Sequence, residues 1–159
     1  MSMRDVGAAR REDGVQTIIL FDADCVLCSA WVRFLLRHER APRSRFVSAW
    51  SEEGRRLAQA HGLTVADLDE TFLVIRNEVA LTRSDAALAL TEELRAPVRW
   101  LGVGWWIPRA LRDWLYDRIA RNRYRWFGRK EMCVAPPPEQ RHRFVLGAAG
   151  DRATAKAAE

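Results

Sequence analysis

The sequence predicts an α/β fold, a four-stranded mixed sheet flanked by helices, and three observations carry that expectation. Short β-branched or apolar runs alternate with stretches of helical periodicity over residues 17–94. The last two of those runs, TFLVI and VALT, are separated only by Arg76-Asn77-Glu78, the spacing of a hairpin. At 159 residues the chain has the length of one core, since single domains usually run to roughly 100–200 residues.

The elements follow in order. Thr17 to Phe21 (TIILF) has the composition of a buried strand. Asp24 stands where an N-cap belongs, ahead of the stripe Leu27, Trp31, Phe34 and Leu35, which repeats at i, i+4, i+7 and i+8. Arg45-Phe46-Val47-Ser48 reads as a second strand. Ser51-Glu52-Glu53 then opens a helix that ends near His61, with Gly62 suited to the left-handed position beyond its end. The hairpin follows, over Thr71–Ile75 and Val79–Thr82, and Ser84-Asp85 caps a helix over Ala86–Leu94 that stops before Pro97. Two strands joined through a helix run parallel, whereas a hairpin adds an antiparallel pair. The resulting order, β-α-β-α-β-β-α, is the connectivity of the thioredoxin fold.

Residues 15–145 are expected to form that single domain, including a helical extension over 97–130, between disordered tails at 1–14 and 146–159. Within the extension Ile107, Leu111, Trp114, Leu115 and Ile119 keep helical spacing, with Arg112, Arg118, Arg121 and Arg125 around them. They are expected to pack on the sheet and leave the arginines as a solvated face. Residues 99–130 carry a net charge of +7 out of the chain's +5, so the basic character belongs to one segment. Arg and Trp together also suit a nucleic acid or an anionic membrane, and a non-catalytic binding module using this segment is the alternative reading. No apolar run approaches the roughly 20 residues of a membrane span. The first residues lack the apolar core of a secretory signal, so a cytoplasmic protein is expected.

Three cysteines cannot form a disulfide framework, and the close pair Cys25-Val26-Leu27-Cys28 falls at the turn from first strand to first helix. Unpaired N–H groups and the positive end of the helix dipole favour a thiolate there, the reactive form of cysteine. Cys25 is then the nucleophile. Cys28, one turn further in and expected to be the more buried, resolves the mixed disulfide. Asp22 and Asp24 place negative charge beside Cys25 and oppose its ionisation, or shuttle its proton. A zinc site would need Cys133 and His142 as further ligands at an uncommon spacing. Cys133 is more simply a buried thiol or a third redox partner.

The same aspartates suggest a rival chemistry, because FDADCVL resembles the D-x-D-G-[TV]-L string of haloacid-dehalogenase-like phosphatases. Asp22 would then be the nucleophile and Asp24 the general acid. Such enzymes need a further Lys and a downstream acidic pair for Mg²⁺, and the only lysines are Lys130 and Lys156. Ser84-Asp85 follows the hairpin where glutaredoxins bind the glutathione carboxylate, although an ordinary N-cap is the simpler reading.

Several separated strings, FDADCVLCSAWVRFLLRHE, SDAALAL, WLGVGWWIPRALRDWLYDRIARNRYRWFG and Cys133 before a proline-rich stretch, resemble the DCC family of thiol-disulfide oxidoreductase-like proteins, also known as DUF393. The resemblance covers roughly residues 17–145. It implies a thioredoxin-like fold and a dithiol-disulfide activity, and the expectation is exchange through Cys25 and Cys28 with a protein disulfide or a glutathione-like thiol, with no cofactor or metal required. The family string D-G-D-C-x-x-C is matched except that Ala23 replaces Gly. The chain also lacks the proline that precedes the third strand in thioredoxins, where Asp69-Glu70-Thr71 stand instead.

Overall fold

A computed structural model describes residues 17–130, 135–148, 153 and 157. Its main elements are β1 (Thr17–Phe21), α1 (Val26–His38), β2 (Ser44–Ser48), α2 (Glu52–Ala60), α3 (Val65–Glu70), β3 (Leu73–Arg76), β4 (Val79–Thr82), α4 (Arg83–Thr91), α5 (Arg109–Phe127) and β5 (Phe144–Val145), with 3-10 helices over Val98–Trp106 and Pro138–Arg143.

The sheet order is β4-β3-β1-β2-β5. β1 pairs parallel with β2 and antiparallel with β3, which in turn pairs antiparallel with β4. These four strands have the expected connectivity. The fifth, β5, runs parallel to β2. It is held by Arg143, whose guanidinium makes two hydrogen bonds of 2.6 and 2.7 Å to the buried Glu39 carboxylate and a third, of 2.8 Å, to the Ser44 carbonyl. Leu146, assigned to the tail by the sequence, packs against the core just beyond β5.

Alternation along β1 divides the core. Ile19 and Phe21 join Val32, Leu35, Phe46, Val74 and Leu90 on the face covered by α1 and α4. Leu20 points the other way, to Val47, Trp50, Ala58, Leu68 and Leu73 beneath α2 and α3. The sequence reading missed α3, which opens with a capping box: the Thr64 hydroxyl accepts the Asp67 N–H and the Asp67 carboxylate accepts the Thr64 N–H. The hairpin turns through Asn77 and Glu78, both at positive φ. α4 starts at Arg83, with Thr82 as its N-cap, so Ser84 and Asp85 lie in its first turn rather than capping it.

The extension departs from the expected faces in part: Ile119 lines the inner cavity and Arg118, Arg121 and Arg125 are exposed, as expected, but other positions are exchanged. Leu111, Trp114 and Leu115 are exposed, whereas Arg112 and Arg123 turn inward with Tyr116 and Ala120. Two acidic groups draw the arginines in. Arg112 makes a 3.0 Å ion pair with Asp85 of α4, and Arg123 pairs with the buried Asp22 at the end of β1.

Candidate functional site

The site is built where β1 ends. The chain turns through Ala23 and Asp24, closed by a hydrogen bond from the Cys25 N–H to the Asp22 carbonyl. Ala23 is not among the residues with positive φ, so this turn does not require the glycine of the family string. Cys25, not Asp24, is the N-cap of α1: its backbone is extended and its Sγ accepts the Cys28 N–H at 3.3 Å. A sulfur placed there satisfies an orphan donor of the helix and meets the positive end of its dipole.

Surface exposure runs opposite to the expected order, although the Cys28 thiol too is set in the protein deeply enough for burial to act on it. Cys25 is 0 % exposed; Arg129 forms a β-bridge with it and the Lys130 N–H binds the Asp24 carbonyl at 3.0 Å, laying a strap of chain along the N-cap. Cys28 is partly exposed and lines a largely apolar cavity of about 300 Å³ together with Phe21, Trp31, Phe72 and Tyr116. α4 contributes the small side chain of Ala87 to its wall, and α5 contributes Ile119, Ala120 and Arg123 beside Tyr116. Both described cysteines are free thiols.

The two thiols are driven apart in acidity. A hydrogen bond from the Cys28 thiol lowers the Cys25 pKa from 9.0 to about 7 against the opposing effect of burial, with help from the Cys28 N–H and the charge of Arg123. Asp22 works in the other direction, as expected of a neighbouring carboxylate. The same hydrogen bond, burial and the charge of Cys25 push the Cys28 thiol well up.

Asp22 is more than a neighbouring charge. One carboxylate oxygen accepts the Asp24 N–H and the Trp50 indole N–H, each at 2.9 Å. The other accepts the Arg123 guanidinium at 3.2 Å and the Tyr124 hydroxyl. This enclosed, fully engaged carboxylate does not favour the phosphatase reading. The sequence reading missed Trp50, Tyr116, Arg123 and Tyr124. Arg123 could have been found from its spacing, since it follows Tyr116, Ile119 and Ala120 along the inward stripe of α5. Tyr116 occupies the segment before β3, where thioredoxins have their proline: its hydroxyl accepts the Phe72 N–H at 3.3 Å and contacts Thr71.

The remaining candidates lie elsewhere. The Ser84 hydroxyl donates to the Asp113 carboxylate, and Asp85 pairs with Arg109 and Arg112, so the side chains offered for a glutathione carboxylate are engaged between α4 and α5. Cys133 lies outside the described residues, and His142 is exposed on the 3-10 helix before β5. Among the described residues no three His, Cys, Asp or Glu side chains gather to hold a metal ion.

A mixed sheet with a C-x-x-C pair at the start of its first helix, one sulfur acidified and the other not, defines the class: proteins built around a dithiol centre. The chain belongs to the DCC1-like thiol-disulfide oxidoreductase family, whose model matches residues 19–129. It is 35% identical over 128 residues to the uncharacterized protein YuxK of Bacillus subtilis, covering 80% of this chain and 93% of that one. It is 33% identical over 123 residues to a chloroplastic DCC family protein of Arabidopsis thaliana, covering 77% and 71%. No solved structure matches significantly. Among the described residues no helix is long and apolar enough to cross a membrane.

Proposed function

We propose that the protein is a thiol-disulfide oxidoreductase in which Cys25 and Cys28 cycle between dithiol and disulfide, exchanging with a protein disulfide or a glutathione-like thiol. The observation that carries this reading is the Cys25 sulfur at the N-cap of α1, hydrogen-bonded by Cys28 and lowered in pKa to about 7. A thiol half-ionised near neutrality is both an effective attacking group and an effective leaving group.

Exchange proceeds through the sulfur that faces the cavity. In the disulfide state an incoming thiolate attacks Cys28 Sγ, the Cys25–Cys28 bond breaks, and Cys25 leaves as a thiolate held by the Cys28 N–H. A second thiolate of the partner then attacks the partner sulfur of the mixed disulfide. Cys28 leaves and takes a proton, the partner holds the new disulfide, and two electrons have passed to the protein. In reverse, the dithiol reduces a partner disulfide through the same intermediate. This assigns Cys28, rather than Cys25, to the mixed disulfide. Asp22 acts through Arg123 to set the charge around the pair, and the half-exposed Asp24 exchanges the proton with solvent.

Mass-spectrometric thiol counting across a glutathione redox series, in a Cys133→Ser background, tests the couple: two thiols should be lost together. If both stay reduced throughout, the redox reading fails. Trapping with a small aromatic disulfide tests the route. Cys25→Ser should hold the adduct on Cys28, while Cys28→Ser should form one at least about tenfold more slowly because Cys25 is buried. Faster capture by Cys25 would restore the order expected from the sequence.

A further inference from the structure

Twelve large apolar side chains are exposed among the described residues, and all but Val79 lie between Trp100 and Phe127. The 3-10 helix Val98–Trp106 buries none of its residues. Trp106 is 91 % and Trp100 78 % exposed, and the stripe continues on the outer side of α5 at Leu111, Trp114 and Leu115. Interleaved cations accompany it. Arg99, Arg118, Arg121 and Arg125 are exposed and form no ion pair among the described residues, in a segment whose net charge is +7.

We propose that this face docks the protein peripherally on an anionic lipid surface. Indole rings are apolar with one N–H donor, which suits the boundary between headgroups and acyl chains, and arginines beside them meet anionic headgroups. Charge and composition select this occupant. A second copy meeting the same face would set Arg99, Arg118, Arg121 and Arg125 against the same four cations. A nucleic acid would use the indoles for stacking but would leave Leu101, Val103, Ile107, Leu111 and Leu115 without a role, whereas acyl chains accept all of them. The inward side of α5 is already committed to Asp22, so the outer side is free to act independently of the thiol chemistry.

The test uses the full chain and vesicles of phosphatidylcholine with and without phosphatidylglycerol, read by co-sedimentation and by the shift of Trp emission. Binding should need the anionic lipid, weaken as salt is raised, and move Trp emission to shorter wavelength. Trp100→Ser with Trp106→Ser should weaken partitioning by about tenfold or more, and both variants are at positions that contribute little to the core, so their melting should match wild type. Arg118→Gln with Arg121→Gln and Arg125→Gln should reduce the preference for phosphatidylglycerol. No binding to anionic vesicles overturns the proposal, as does binding that the Trp substitutions leave unchanged. A concentration-dependent dimer abolished by the Trp substitutions would assign the face to a second copy instead. Tight binding of a single-stranded oligonucleotide in place of vesicles would assign it to nucleic acid.

Discussion

Removing the thiol of Cys28 tests the electrostatic account of the site most directly. Cys28 acts on Cys25 twice, through its thiol, the largest influence, and through its backbone N–H at 3.3 Å. Cys28→Ala deletes the first and keeps the second. With a pKa of about 7, half of Cys25 is thiolate at neutral pH. Loss of the side-chain donor should raise the midpoint by roughly one unit, about 1.4 kcal/mol, and reduce the thiolate at pH 7 to about 10%. Cys28→Ser, which restores an O–H donor at the same place, should return the midpoint close to the wild-type value. The assay is the ultraviolet absorbance of the thiolate followed through a pH titration, with Cys133→Ser in every protein so that only the motif titrates. If Cys28→Ala titrates like wild type, the donor is not what acidifies Cys25; if wild type itself titrates near 9, the site is not poised at all.

Three further outcomes follow from the same geometry. The folded pKa of Cys25 lies below its ordinary value, so ionisation favours the folded state: urea midpoints of the reduced protein should rise from pH 7 towards 9 and lose that gain as pH falls through 7, by at most about 1.4 kcal/mol per pH unit, with the rise absent in Cys25→Ser and eroded at higher pH by the raised Cys28. Arg123→Met leaves the Asp22 carboxylate buried without its cation and should destabilise by about 3–5 kcal/mol, whereas Asp22→Asn with Arg123→Met should recover much of the loss in the same urea titration. Gly54→Ala places a Cβ 2.1 Å from the Ser48 carbonyl oxygen, so a change that would stabilise an unhindered helix by about 1 kcal/mol should instead destabilise by about 2 kcal/mol or more on thermal melting.

Where local pattern and packing agreed, the sequence was informative. TIILF, the Leu27–Leu35 stripe, Ser51 before α2, Gly62 beyond it and the turn at Asn77-Glu78 each have one local solution, and the sheet order follows from connection lengths. Contacts between distant segments were not legible. β5 is two residues long and depends on the Glu39–Arg143 pair, which spans 104 positions. On α5 the sequence is right for Ile119, Arg118, Arg121 and Arg125 and wrong for Leu111, Trp114, Leu115 and Arg112, because the buried side is chosen by Asp22 and Asp85, charges in other elements. The C-x-x-C pair could be read in outline. Which sulfur is covered could not, since the strap along the N-cap is residues 129–130, a hundred positions downstream.

The extension is therefore part of the site rather than an appendage to the fold. Its inner side supplies Arg123 and Tyr124 to Asp22 and Tyr116 to the segment before β3, and it walls the cavity that opens on Cys28. Its C-terminal end becomes the strap along the N-cap. The stretch matched by the family model ends at Arg129, the residue that bridges Cys25, so the motif and this bridge fall within one matched unit. A chain truncated after α4 would keep β1 to β4 and the C-x-x-C motif, yet would lose β5 and leave Asp22 without its cation, Cys25 without its strap and the cavity without a wall. Its Cys25 would keep the Cys28 thiol and N–H that acidify it but lose the charge of Arg123 and the strap, so what the extension adds to the motif is the difference in access between the two sulfurs.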